Sequence, residues 1–244
     1  MNKVEVKNLT KQFGELLVLD DISFNVGDGE FLCIVGPTGC GKTTFLNSLT
    51  KIYNIDRGSI LISGEEVNPK KHRLAYIMQE YSTMSWRNVR QNVSFGLEVM
   101  KLPQKEIQEK TDAALEMVGL DKFQKYYPNQ LSASMLQRVA IARAFAVQPD
   151  LLLMDEPYGQ LDIELRFKLE DELLNLWRKL GTTVIFITHN IEEAVYLSER
   201  ILVLTNKPTS IKASINNELP YPRNVTSEDF IALRNEVTAM IKWW

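Results

Sequence analysis

The sequence predicts an α/β fold with a mixed, mainly parallel sheet, an antiparallel β part at the N-terminus and a helical insert. Residues 31–36, FLCIVG, are continuously apolar, which is typical of a strand buried on both faces, and they lead directly into a glycine-rich turn. Strand-like and helix-like segments alternate over 151–204, as in a parallel sheet covered by helices. Residues 4–9 and 19–26 instead alternate apolar and polar side chains, which favours antiparallel strands with one solvated face.

Other segments with the same periodicities complete this outline. Further strands are predicted at 58–64, 74–79, 151–157, 184–189 and 200–204, and helices at about 42–51, 105–120, 134–147, 163–180, 191–198 and 228–242. Charged residues become more frequent and β-branched residues rarer from Trp86 to Gln130, so this stretch is predicted to be a helical insert. We expect a single domain over 1–244, with an α/β core (1–84 and 146–205), a helical subdomain at about 86–145 and a C-terminal extension at 206–244.

The composition is that of a globular protein that needs no covalent support. Of the 244 residues, 45% are hydrophobic and 24% are charged, which suffices to bury a core without disulfides or a structural metal. The net charge of −3 is not typical of a nucleic-acid-binding protein. No apolar run approaches the ~20 residues of a membrane-spanning helix, and residues 1–10 lack the apolar core of a signal peptide. Cys33 and Cys40 fit neither a zinc site nor a redox pair. We therefore expect a soluble, intracellular protein with no nucleic-acid partner.

The glycine-rich turn lies between the buried strand at 31–36 and a predicted helix. It matches G-x-x-x-x-G-K-[ST], a pattern in which backbone N–H groups surround phosphates at the positive end of a helix. Its residues are Gly36, Pro37, Thr38, Gly39, Cys40, Gly41, Lys42 and Thr43, with Thr44 next along the helix. Lys42 is expected to reach the β- and γ-phosphates, and Thr43 to ligate Mg²⁺. Alone, the motif predicts a nucleoside triphosphate site and leaves small kinases, GTPases and motor ATPases open.

A second polar site is predicted where the apolar run 151–154 ends. Asp155 and Glu156 follow that run directly, and ligands of open α/β sheets bind at the carboxyl ends of the strands. Asp155 is expected to hold Mg²⁺ through its outer shell, and Glu156 to orient or deprotonate the attacking water. Such a carboxylate pair favours hydrolysis over transfer to an organic acceptor.

With both motifs in place, residues 3–205 resemble the nucleotide-binding subunits of ABC transporters. Further motifs of that family have counterparts in the expected order: Phe13 at the aromatic position, Gln79 at the Q-loop, LSASMLQR (131–138) at the LSGGQ signature, Gly159-Gln160-Leu161-Asp162 at the D-loop and His189 at the switch histidine. Each counterpart is a weak signal alone. Their common order and spacing predict the family.

The resemblance implies a role for each counterpart. Gln79 would sense Mg²⁺ and the attacking water, His189 would contact the γ-phosphate, and Phe13 would stack on adenine. Ser132 and Ser134 of the signature would reach the ATP bound by a second copy. The implied protein is an ATPase that binds ATP and Mg²⁺, with catalytic residues Glu156, His189 and Gln79 and metal-binding residues Thr43, Gln79 and Asp155.

Finer resemblances point to the nitrate, sulfonate and taurine importer ATPases. Residues 79–98, with Trp86, and the turn at 220–223 are similar to that group. Ser85 replaces a common proline, and Gln160 stands where a small residue is common. Ala133 and Ser134 replace both signature glycines. The Cβ of Ser134 is expected to crowd a close approach of backbone to phosphate and to slow hydrolysis.

The resemblance also implies partners and a location. The chain would be peripheral on the cytoplasmic face of the membrane, bound to transmembrane permease subunits, with an extracytoplasmic solute-binding protein in the same system and a homodimer when ATP is bound. The degenerate signature leaves a non-hydrolysing ATP-binding regulatory module as an alternative, against which Glu156 and His189 argue. A DNA-repair or translation ATPase is a third hypothesis, which neither the length nor the charge favours.

Two local features carry further expectations. Cys40 lies at a helix N-terminus, where the backbone dipole is expected to lower the pKa of its thiol and to make it reactive. The helix at about 228–242 has one apolar stripe, consisting of Phe230, Leu233, Val237, Met240 and Ile241, with Trp243 and Trp244 beyond it. We expect the stripe to pack on the protein's own core, a partner-facing role being the alternative.

Overall fold

The computed structural model describes residues 1–159 and 161–241, so Gln160, Trp243 and Trp244 lie outside the described residues. The strands are β1 (Asn2–Phe13), β2 (Leu16–Gly27), β3 (Phe31–Val35), β4 (Arg57–Ile62), β5 (Glu65–Glu66), β6 (Leu74–Ile77), β7 (Leu151–Asp155), β8 (Thr183–Thr188), β9 (Arg200–Leu204) and β10 (Ile211–Asn216). The helices are α1 (Lys42–Leu49), α2 (Val89–Val99), α3 (Gln104–Met117), α4 (Ala133–Ala146), α5 (Ile163–Leu180), α6 (Ile191–Leu197) and α7 (Glu228–Met240). The chain forms two compact units, one made of residues 1–72 with the chain from 173 onward, the other of residues 73–172.

The first unit contains an antiparallel sheet with the strand order β2-β1-β4-β5. Strand β1 pairs with β2 on one side and with β4 on the other. Val4, Val6 and Leu9 of β1 are buried, and exposed or half-buried residues lie between them. The alternation in the sequence is therefore the alternation of the two sheet faces, and both strands are longer than predicted.

The same unit contains the strands β10, β9, β3 and β8, which neighbour one another in that order. Strand β3 is parallel to both β8 and β9, whereas β10 is antiparallel to β9. Every residue of β3 and of β8 is buried, as the continuous apolar runs predict for strands covered on both faces. The turn after β3 thus begins from a rigid central strand.

Helix α7 packs against helix α6 within the first unit. Phe230, Val237 and Ile241 of the predicted apolar stripe are buried, while Leu233 and Met240 are half-buried. Arg234 on α7 forms an ion pair with Glu192 on α6, with 3.5 Å between nitrogen and oxygen. The stripe therefore faces the chain's own core, as expected.

The second unit combines the parallel pair β6 and β7 with helices α2, α3 and α4, which pack against one another. Helix α2 lies in the predicted helical insert but is not given bounds there, although Val89, Val93 and Leu97 recur at a spacing of four and are all buried. Its start has a recognisable signal, because Asn88 and Gln91 form a reciprocal capping box. In the part of the chain that the structure describes, no helix is both long and apolar enough to span a bilayer.

Candidate nucleotide site

The glycine-rich turn joins β3 to α1 in the first unit. Lys42 is buried, and its Nζ donates to the carbonyl oxygens of Gly36 at 2.9 Å and Pro37 at 3.2 Å. The Cys40 N–H donates to the Pro37 carbonyl at 3.2 Å, while Thr43 is exposed at the first turn of α1. The loop is therefore closed by its own lysine, with a cationic group held at its centre.

Gly41 is the tightest position of this loop. Its φ is +113°, in the region that favours glycine. A Cβ added there would lie 2.8 Å from Cγ1 of Val18 and 3.2 Å from Cδ2 of Leu19. Backbone conformation and packing against β2 thus both require glycine, so this position of the motif has a local physical reason.

The expectation of a reactive Cys40 thiol is wrong. The side chain is only 2% exposed, and burial raises the pKa of its thiol despite the nearby Lys42. A Cβ on Gly36 would lie 3.1 Å from the Cys40 sulfur, so the thiol packs behind the loop. Desolvation outweighs the helix dipole here, so the thiol of Cys40 is not the reactive group that the sequence predicted.

Phe13 ends strand β1 in the same unit. Its ring is 42% exposed and contacts Tyr53 edge to face, with 5.3 Å between the ring centroids. The Nζ of Lys11 lies 5.0 Å from the Phe13 ring centroid. An exposed, laterally supported ring is what stacking on a nucleobase requires.

His189 directly follows strand β8 and is exposed, also in the first unit. Its neighbours fix the backbone on both sides. The Asn190 N–H donates to Oγ1 of buried Thr188 at 2.9 Å, and the Asn190 side chain caps helix α6. The imidazole is therefore presented from a rigid strand end.

Asp155 and Glu156 lie in the second unit at the carboxyl end of β7. Asp155 is 6% exposed, and the hydroxyl of Tyr76 on the neighbouring strand β6 donates to its Oδ2 at 3.3 Å. Glu156 is half-buried with a φ of +46°, so the chain turns sharply immediately after the strand. No sequence signal singles out Tyr76, because its contact with Asp155 arises only from strand pairing.

Gln79 lies beyond the strand in which the sequence placed it. Strand β6 ends at Ile77, and Gln79 is exposed in the segment that follows. Arg143 of helix α4 donates to the Ser82 carbonyl at 2.8 Å and supports that segment. Gln79 therefore belongs to a connecting segment, as a Q-loop residue should.

The signature forms the start of helix α4, also in the second unit. Ser132 is its N-cap, and Ser132 Oγ accepts from the Met135 N–H at 3.4 Å. The Oγ atoms of Ser132 and Ser134 are 3.0 Å apart, within hydrogen-bonding distance. Ala133 and Ser134 occupy the first turn of a regular helix, where negative φ suits residues with side chains. Their backbone is unstrained.

The predicted site residues thus divide between the two units. Phe13, the loop 36–44 and His189 belong to the first unit, and Gln79, Ser132, Ser134, Asp155 and Glu156 to the second. Within the described residues, no group of three or more His, Cys, Asp or Glu side chains could hold a metal by itself. Mg²⁺ binds nucleotide phosphates with only one or two protein ligands, and within its own unit the buried carboxylate of Asp155 has the oxygen chemistry that such a ligand needs.

The described features define a P-loop nucleoside triphosphatase. The sequence pattern of the ABC transporter family matches residues 19–159, more than half of the chain. An uncharacterised ABC transporter ATP-binding protein of Methanocaldococcus jannaschii is 42% identical, over 98% of this chain and 91% of its own. The aliphatic sulfonates import ATP-binding protein SsuB of Bacillus cereus is 40% identical, over 97% of this chain and 93% of its own. This chain therefore belongs to the ABC transporter ATP-binding family and is an ATPase of that family.

Solved structures agree with this assignment. CbiO1 of Clostridium perfringens, part of the ABC transporter complex CbiONQ, has a TM-score of 0.81 at 25% identity and covers 98% of this chain and 95% of its own. A dimeric ATP-binding cassette in a post-hydrolysis state, bound to ADP and Pi, has a TM-score of 0.76 at 29% identity and covers 88% of this chain and 99% of its own. The predicted α/β fold with a P-loop core is confirmed, and ATP is the nucleotide of this family.

Proposed function

We propose that this chain is the ATP-hydrolysing subunit of an importer and energises uptake of a small solute through a separate permease. The name of the Bacillus cereus relative supports an aliphatic sulfonate as the solute, and nitrate-like or taurine-like solutes are the related candidates. The observation that supports a permease as partner is an exposed apolar surface on the second unit. The alternative, a non-hydrolysing regulatory module, has no comparable support. The residues that hydrolysis would need, Asp155, Glu156 and His189, are all present at strand ends.

That apolar surface begins at Trp86, which is 74% exposed. Buried Asn92 holds the segment around it, since its amide donates to the carbonyls of Met84, Arg87 and Asn88 and its Oδ1 accepts from the Met84 N–H. An exposed tryptophan in a segment whose neighbouring backbone is held by a buried side chain is a feature of interaction surfaces.

The neighbouring helix α2 extends the surface. Phe95 and Val99, one turn apart, and Met100 at its end are also exposed. We assign this surface to the transmembrane permease subunits, which would hold the chain as a peripheral subunit on the cytoplasmic face of the membrane. An extracytoplasmic solute-binding protein would complete the system.

The nucleotide site supports hydrolysis in a dimer of two copies. The backbone of 36–44 and Lys42 would hold the phosphates, Phe13 would stack on adenine, and Glu156 would take the proton of the attacking water. Gln79 and His189 would position that water and the γ-phosphate. Thr43, Asp155 and Gln79 would hold Mg²⁺, which when bound neutralises charge on the phosphates. Ser132 and Ser134 would approach the ATP of the other copy.

Co-purification with the permease tests this proposal. The chain is co-expressed with a candidate permease from the same organism, and the proteins are extracted in detergent and purified through a tag on the permease. We expect a complex that contains the wild-type chain and loses the Trp86→Asp variant, while ATP affinity of that variant stays within about twofold. Leu180→Asp, at an exposed leucine of the first unit, is the matched control and should still co-purify.

Transport by the purified complex gives the second readout. In proteoliposomes that also receive the solute-binding protein, ATP should drive accumulation of a labelled sulfonate, and Trp86→Asp should abolish it. A wild-type chain that hydrolyses ATP but never co-purifies with a permease would overturn the transport proposal and leave only the ATPase activity.

A further inference from the structure

A segment after strand β9 contacts the phosphate loop from a distant part of the sequence. Thr209, in this segment, is fully buried. Its N–H donates to the Val18 carbonyl at 2.9 Å, and its carbonyl accepts from the Asp20 N–H at 2.9 Å. Thr209 is therefore fixed on both sides to strand β2, in the unit that also holds the loop.

The Thr209 side chain reaches the loop itself. Its hydroxyl donates to the carbonyl oxygen of Cys40, 169 positions away in the sequence. Gly41 lies on the same side, since a Cβ there would be 3.7 Å from Thr209 Oγ1 in addition to its close approach to Val18. The hydroxyl thus joins the backbone of β2 to the middle of the loop.

The hydrogen bond from Thr209 to the Cys40 carbonyl also sets the direction of the next N–H group, because the peptide that joins Cys40 to Gly41 is rigid. A trans peptide is planar, and its C=O and N–H point in opposite directions. Because the Cys40 carbonyl is directed at buried Thr209, the N–H of Gly41 is directed to the other side, away from the core. That side is where successive backbone N–H groups of such a loop bind phosphate.

We propose that Thr209 is a positioning residue for phosphate binding: its hydroxyl fixes the Cys40–Gly41 peptide so that the Gly41 N–H is presented to the nucleotide. This inference rests on the proposed binding of ATP phosphates by residues 36–44. Thr209 touches no substrate and acts by preorganisation, because a peptide held in place before binding costs less to order afterwards.

The test removes the hydroxyl without changing the shape of the side chain. Thr209→Val should weaken affinity for ATP and for ADP about fivefold, the loss expected for one hydrogen bond. It should raise KM for Mg-ATP by the same factor with kcat nearly unchanged, because the phosphates are bound in both the ground and transition states. Affinity for adenosine, which has no phosphate, should not change. Thr209→Ser, which keeps the hydroxyl, should restore ATP affinity.

A matched control comes from strand β8 in the same unit. Thr183 is also a buried threonine, and its Oγ1 accepts from the N–H of Gly29 at 2.9 Å. Thr183→Val should lower the melting temperature and leave ATP and ADP affinity unchanged. If Thr209→Val unfolds at the assay temperature, Thr209→Ala and Thr209→Ser give a second pair of variants without and with the hydroxyl.

Two outcomes would overturn the inference. In one, Thr209→Val and Thr209→Ala lower the melting temperature but bind ATP like the wild type, so the role of Thr209 is structural only. In the other, adenosine affinity falls as much as ATP affinity. Lys42→Ala, measured in parallel, separates failure of the Thr209 inference from failure of the proposed phosphate site. If Lys42→Ala also leaves ATP affinity unchanged, the proposed phosphate site itself is wrong.

Discussion

The phosphate loop and the signature are both predicted to contact nucleotide phosphates, the loop those of its own ATP and the signature those of a second copy's ATP, yet they are held in different ways. The loop is supported by buried, distant residues: Thr209 bonds to Cys40, and Val18 packs on Gly41. The signature is supported locally, since Ser132 and Ser134 contact each other and Ser132 caps its own helix. The loop is held by contacts with distant segments, and the signature by contacts within its own first helical turn.

This difference explains which motif tolerates substitution. At Gly41 a side chain would collide with β2, so the loop keeps its glycine. At Ala133 and Ser134 the backbone is helical and the surroundings are partly open, so side chains are accepted within a single copy. In the proposed dimer, any cost of the altered signature would therefore arise when a second copy brings its ATP to these residues.

Glu156→Gln sets the reference for this comparison, because it leaves both regions intact. We expect turnover to fall about 10²- to 10⁴-fold, since the proton acceptor is removed, while ATP affinity stays within about threefold. Steady-state ATPase assays and calorimetry measure the two quantities, and size-exclusion chromatography should show a trapped ATP-bound dimer. Glu164→Gln, at an exposed carboxylate in the first turn of α5, should behave like the wild type. Hydrolysis by Glu156→Gln at the wild-type rate would remove Glu156 from the role of general base.

Lys42→Ala tests the loop. The variant should lose about 10- to 100-fold in ATP affinity, because the mutation removes a charge-assisted contact to phosphate and the bonds that close the loop onto Gly36 and Pro37. Calorimetric titration with ATP measures the change. Lys51→Ala, which removes a half-exposed lysine paired with Glu66, is the control. Unchanged ATP binding by Lys42→Ala would mean that nucleotide phosphates bind elsewhere.

The signature is tested by restoring its glycines. We expect Ala133→Gly combined with Ser134→Gly to raise turnover about tenfold and to strengthen ATP-driven dimerisation, because the Ser134 Cβ no longer crowds the phosphate. Ser134→Ala keeps that Cβ and removes only the hydroxyl engaged with Ser132, so a gain of about threefold is expected from freeing Ser132. ATPase rates must be compared over a range of protein concentrations, since the proposed site forms between two copies.

The outcomes of this series separate two explanations. A double variant that is no faster at any concentration would refute the steric explanation. If Ser134→Ala is slower than the wild type, the Ser134 hydroxyl orients the Ser132 hydroxyl for the phosphate and does not keep it away.

The smallest effect is expected for the rate at which the Cys40 thiol is alkylated. Since burial raises the pKa of this thiol, the reactive thiolate is less populated at neutral pH than in an exposed cysteine, and the rate of alkylation should increase with pH beyond the ordinary range. Mass spectrometry after iodoacetamide treatment should show slow labelling of Cys40 and Cys33 in the folded chain and rapid labelling in guanidinium. Fast labelling of Cys40 at pH 7 that ATP suppresses would restore the original expectation of a reactive thiol.

The sequence by itself determined the features that depend on local pattern. Continuous apolar runs identify β3 and β8 because a strand covered on both faces has no polar positions, and the loop motif is visible because its glycines and lysine are adjacent in the chain. Asp155 and Glu156 could be placed for the same reason, since they end an apolar run. The capping signal at Asn88, which marks the start of α2 inside the predicted helical insert, is of the same local kind.

Only the tertiary structure decided which of these residues are supported and how. The bond from Thr209 to Cys40, the contact of Tyr76 with Asp155 and the burial of the Cys40 thiol each depend on segments far apart in sequence, which leave no periodicity to detect. The pKa of Cys40 illustrates the physical reason. The helix dipole that would lower it is predictable from neighbouring residues, but the desolvation that raises it is set by the segments that fold over the loop.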